Sequence, residues 1–131
     1  MHELKNAYVN GAWTPMRSTA SHAMVSPATE QQIGVVVLGD AADIDAAVAA
    51  ARAALPGWSA TSLAERIALV DRMRDIYTRR LDEVAAAISA EMGAPLDLAK
   101  SRQAMAAVNH MVNFVNAVKS MDFVRPLGPH A

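Results

Sequence analysis

Between Leu63 and Ile88, the apolar residues Leu63, Ile67, Val70, Met73, Tyr77, Leu81, Val84 and Ile88 recur at steps of three and four. That spacing lays one unbroken stripe along a helix and forbids a strand, whose faces alternate every second residue. The start is marked as well. Ser62-x-x-Glu65 has the form of a capping box, in which two side chains satisfy backbone amides that a helix start leaves unpaired. Arg66, Arg72, Arg74, Arg79 and Arg80 alternate with Asp71, Asp75, Asp82 and Glu83, the pattern of a solvated face laced with ion pairs. A long helix over about 62–91, buried on one side only, is the main constraint on the fold.

Two further helices flank it. Asp40 followed by Asp43 supplies a cap and a first-turn acid for a helix over about 41–55, with Ile44, Val48 and Leu55 on its apolar side and Pro56-Gly57 as its stop. After the Gly93-Ala94-Pro95 break, Leu98, Met105, Val108, Val112, Val115 and Val118 predict a third helix over about 96–120. The segment Arg125-Pro126-Leu127-Gly128-Pro129 cannot continue it.

Strands precede the helices. Tyr8-Val9 and Ala12-Trp13 bracket Asn10-Gly11, a pair suited to the positive φ angles of a tight hairpin turn. Met24-Val25 leads into the turn Ser26-Pro27-Ala28-Thr29-Glu30, and the run Ile33, Val35, Val36, Val37, Leu38 reads as a strand buried on both faces. The expected fold is α/β and incomplete: antiparallel strands and a hairpin over about 7–38, then three amphipathic helices, in one unit over 1–131.

Composition narrows the chemistry. With 12 basic and 13 acidic residues and a net charge of −1, the chain has no basic stripe to recruit nucleic acid or anionic membranes. It has no apolar run near the roughly 20 residues that span a bilayer and no signal-peptide pattern, so a cytosolic protein is expected. The absence of cysteine removes thiolate nucleophiles, thiolate metal sites and disulfides together. The glycines never reach a phosphate-cradling spacing. His2, His22, His110 and His130 stand apart, without the i, i+4 pairing that converges two imidazoles on a metal. Ser26, Ser59 and Thr61 sit in turns or helix starts, suited to capping. Glu91 and Asp97 flank the helix break, where a carboxylate beside unpaired backbone groups could hold a cation.

Taken in order, these segments resemble the aldehyde dehydrogenase family over nearly the whole chain from Tyr8 onward. Tyr8-Val9-Asn10-Gly11-Ala12-Trp13 is similar to its opening strand and turn, and Val25-Ser26-Pro27-Ala28-Thr29-Glu30 before Ile33-Gly34 to its Asn-Pro-Ala-Thr-Gly-Glu turn. Asp43 to Ala54 with Trp58 resembles its first helix, Ala64-Glu65-Arg66 the start of its second, and Glu91-Met92-Gly93-Ala94-Pro95 its acidic-x-Gly-Lys-Pro break. Ser26 replaces the usual Asn, Gln31 follows Glu30 where a Gly-Glu order is usual, and Ala94 replaces the usual Lys.

The resemblance implies an amino-terminal part of a cofactor-binding domain whose parent oxidises an aldehyde to a carboxylic acid with NAD or NADP. It also implies that the catalytic cysteine, general-base glutamate, oxyanion-hole asparagine and Gly-rich cofactor segment lie beyond this region. The 131 residues alone are then expected to be inactive, to bind no cofactor, and to serve as scaffold against the remainder of the fold. In several members a monovalent cation sits between a backbone carbonyl before the Pro-Ala-Thr turn and an acid before the Gly-x-Pro break, which here map to Val25 and Glu91. The alternative is a stand-alone helical interaction or regulatory module that self-associates through its helix faces.

Overall fold

The computed structural model describes residues 2–128. Met1, Pro129, His130 and Ala131 lie outside the described residues. The strands are β1 (His2–Leu4), β2 (Asn6–Val9), β3 (Ala12–Pro15), β4 (Ser21–Val25) and β5 (Gln32–Val37). The hairpin β2–β3 turns through Asn10 and Gly11 at φ 51° and 78°, the paired positive angles that the Asn-Gly dipeptide accepts. Tyr8 and Trp13 sit opposite each other across it, rings edge to face at 5.4 Å.

The second sheet has the order β1-β5-β4, with β4 antiparallel and β1 parallel to β5. The expectation of antiparallel strands beginning near residue 7 therefore misses β1, whose parallel partner lies some thirty residues away and leaves no local mark in the sequence. The valine run is also less enclosed than expected. Only Gly34 of β5 is buried; Ile33, Val35, Val36 and Val37 are half-buried.

The helices are α1 (Ala41–Ser59), α2 (Leu63–Arg79), α3 (Leu81–Met92), the short α4 (Leu96–Leu98), a π-helical turn (Ala99–Ala104) and α5 (Met105–Lys119). Both capping boxes form: Asp40 with Asp43, and Ser62 with Glu65. Three boundaries differ from the sequence reading. First, α1 continues through Pro56 and Gly57 to Ser59. Its last carbonyls find a partner in Arg66, which donates to Trp58 O at 2.9 Å and to Ser59 O at 3.4 Å.

Second, the helix expected over 62–91 breaks at Arg80 (φ −106°, ψ 16°). The apolar stripe does not register the break, because Tyr77, Leu81 and Val84 keep stepping by three and four across it. Third, the helix expected over 96–120 carries the π-helical turn, which moves Ala99 rather than Leu98 onto the buried face. Ala99 is fully buried and Leu98 is 47% exposed. Among the described residues, no helix is long and apolar enough to cross a membrane.

The core gathers where α3 meets the π-helical turn: Leu81, Ala85, Ala99 and Ala104, with Tyr77, Val84, Ile88 and Val108 packed around them. It is made largely of alanine, which contributes little buried area per residue.

Candidate functional site

Among the described residues, the break after α3 is where the sequence-predicted site residues Val25 and Glu91 come to line one groove. Gly93 ends α3 in the left-handed region, at φ 71°, a conformation that a Cβ disfavours. The Ser89 hydroxyl donates to Ala94 O at 2.7 Å and closes the loop from inside. The turn after β4 lies directly against this cap: a Cβ on Gly93 would stand 3.2 Å from Pro27 Cγ and 3.3 Å from the Ala28 Cβ and backbone nitrogen. Ser26 is buried there, its N–H donating to Gln31 O and its carbonyl accepting from the Glu30 N–H.

Two segments far apart in sequence are thereby fixed side by side. Val25 ends β4 just before the docked turn, and Glu91 lies just before the glycine cap. Both line one open groove of about 470 Å³, together with His22, Ala23, Met24 and Ile33. The groove runs on along α3 past Ala87 and Glu83 to Leu4. Of the two acids flanking the break, Glu91 faces this groove; Asp97 is not among the residues that line it.

Chemically, the groove brings the Glu91 carboxylate and the His22 imidazole among otherwise apolar residues. Among the described residues, no three histidine, aspartate or glutamate side chains gather as a metal cluster. A Val25 carbonyl and the Glu91 carboxylate are hard oxygen donors, suited to a hard cation and unsuited to a soft one. A hard cation takes several such oxygens, so two donors alone would not complete a shell. His22, Met24 and Ile33 are groove residues that sequence reasoning did not assign. Only the β4–β5 register, which pairs Met24 with Gly34, could have pointed to them.

The described glycines at positive φ are Gly11 in the hairpin turn, Gly93 at the helix cap and Gly128 in the terminal segment. None opens a helix with the spaced amides that hold a pyrophosphate. With no cysteine in the sequence, these residues supply no thiolate nucleophile either.

Comparison with known proteins gives a consistent result. Residues 13–127 match the model of the aldehyde dehydrogenase family. A 3-succinoylsemialdehyde-pyridine dehydrogenase from a Pseudomonas species is 36% identical over 129 residues, covering 98% of this chain and 27% of that protein. The crystal structure of an aldehyde dehydrogenase from Bartonella henselae superposes with a TM-score of 0.95 at 34% identity, over 100% of this chain and 28% of its own. A mutant aldehyde dehydrogenase C from Pseudomonas syringae, in complex with NAD+ and octanal, gives a TM-score of 0.90 at 39% identity, over 95% of this chain and 26% of its own. The chain thus spans about a quarter of the length of the relatives it matches.

Proposed function

Because the chain belongs to the aldehyde dehydrogenase family, we propose that its residues are the amino-terminal scaffold of an enzyme that oxidises an aldehyde to a carboxylic acid with NAD or NADP. In such an enzyme the aldehyde carbon loses a hydride to the nicotinamide ring, and water supplies the second oxygen of the acid. The nucleophile and the cofactor-binding amides come from elsewhere in that larger fold. These residues contribute strands and the helical wall packed beside it.

One observation carries the scaffold reading. Among the described residues no large side chain is fully buried, and the buried hydrophobic core consists of Leu81, Ala85, Ala99, Ala104 and Val115. Meanwhile Ile44, Trp13 and Phe114 are 61%, 71% and 54% exposed. Apolar surface removed from water is the main source of folding free energy. So much left uncovered fits a segment completed by more structure.

At the helix break we propose that Val25 O and the Glu91 carboxylate contribute to a monovalent cation site, which would tie the turn after β4 to the end of α3. The groove shared by the two residues supports this reading.

The scaffold proposal is tested by mixing the purified chain with the separately expressed remainder of a relative and following aldehyde-dependent NADH formation. Recovery of activity in the mixture, with none from either part alone, is expected. If the chain instead forms a defined oligomer with a sharp cooperative melt and restores nothing, the scaffold assignment fails in favour of a self-associating module.

A further inference from the structure

Ala99 and Ala104 are both fully buried although they stand five positions apart. In a regular α-helix, at about 100° per residue, that step places two side chains roughly 140° apart, on different faces. A turn with i→i+5 hydrogen bonds holds one extra residue and returns the fifth position to nearly the same face. The buried face then continues through Val108, Met111, Val115 and Val118 at steps of three and four. The π-helical turn is therefore a one-residue insertion in an otherwise continuous helix, and it keeps the two halves in phase. The halves have different partners: the π-helical turn packs on α3, and α5 packs on α2.

The facing helices are interrupted near the same contact. α2 gives way to α3 at Arg80, whose N–H is shared between Ile76 O at 3.2 Å and Tyr77 O at 3.0 Å. Tyr77, in the last turn of α2, sends its hydroxyl across to Ala104 O at 3.1 Å, the carbonyl of the last residue of the π-helical turn. A single hydrogen bond spanning 27 residues thus ties one irregularity to the other. Apart from that of Tyr77, the side-chain polar contacts described near the two breaks lie on exposed edges: Arg80 with Glu83, Lys100 with Asp82, the Thr78 hydroxyl donating to Arg74 O and the Ser101 hydroxyl to Asp97 O.

We infer that the Arg80 break and the π-helical turn form one joint, at which the α2–α5 pair pivots against α3 and the π-helical turn, with the Tyr77 hydroxyl as its catch. Local opening of such a joint exposes backbone amides on both sides together. Hydrogen–deuterium exchange of the full chain, read by mass spectrometry, tests this with Tyr77→Phe, which keeps the ring and removes the hydroxyl. Exchange should quicken about tenfold, the effect of losing one part-buried hydrogen bond, in peptides covering 78–83 and 99–106 alike, with α1 unchanged. Deleting Ser101 should convert the π-helical turn into a plain α-helical one with both flanking faces in place. In that variant, Tyr77→Phe should no longer couple the two segments. Quickening in one segment only, an equal rise along the whole chain, no change, or unfolding of the deletion variant would each overturn the joint.

Discussion

A Cβ placed on Gly93 would stand 3.2 Å from Pro27 Cγ across the loop that follows α3, so close that the proline would have to give by a few tenths of an ångström. The φ of 71° at Gly93 and the tight fit of an added Cβ against Pro27 Cγ act in the same direction. Gly93→Ala should therefore cost about 2 kcal/mol or more, since the left-handed conformation alone costs an L-residue about 1–2 kcal/mol. Gly57 is the contrast. It lies inside α1, and a Cβ there meets nothing within 4 Å. Gly57→Ala should stabilise by about 0.5–1 kcal/mol. Urea unfolding of both variants checks the pair, and the two midpoints should move in opposite directions.

The Arg66 guanidinium stands 5.1 Å from the centre of the Trp58 ring while donating to Trp58 O and to the Thr61 hydroxyl. One side chain therefore fastens the end of α1 to the start of α2. Arg66→Ala should cost about 1–3 kcal/mol, combining the cation–π contact with the loss of hydrogen bonds from a charged donor. Arg66→Lys should recover little of this, because an ammonium lacks the planar fork that reaches several acceptors while lying on a ring. Thermal melts of the two variants provide the comparison.

The Asp43 carboxylate accepts from the backbone N–H of Asp40 and from that of Arg17, each at 3.1 Å. Those hydrogen bonds, the Asp40 one foremost, hold it below the ordinary value of 3.8. A carboxyl whose folded-state value is depressed adds stability that is fully present above its unfolded value and is lost as pH falls through the folded one. The link between α1 and the segment before β4 should thus weaken below about pH 3.8. Asp43→Asn should lower stability at neutral pH and narrow its difference from the parent chain as the solution is acidified. Denaturant midpoints measured across that range test both statements.

If Glu91 ligates a monovalent cation, Glu91→Gln should lower the melting temperature in sodium or potassium chloride and do so less in choline chloride of equal ionic strength. Preferential binding to the folded state at a few-fold to a hundredfold saturation corresponds to about 1–3 kcal/mol. A decrease of the same size in every salt would rule out the ion and leave Glu91 a surface carboxylate beside the groove.

Much of the local architecture was written in short-range chemistry. The Asn10-Gly11 turn, the caps at Asp40 and Ser62, and the glycine stop at Gly93 depend on atoms within a few residues of one another, so residue type was sufficient to place them. The same held for the family resemblance, since its motifs are local and their order is linear. What the sequence did not determine were features fixed by contacts between distant segments. The parallel pairing of β1 with β5 needs a partner some thirty residues away. The break at Arg80 and the π-helical turn preserve the apolar periodicity and show only where one helix meets another through Tyr77 and Ala104. The groove shared by Val25 and Glu91 likewise exists because the Pro27 turn docks on Gly93. Local propensity selects the elements, whereas close packing between remote surfaces decides where a helix gives way and which side chains meet.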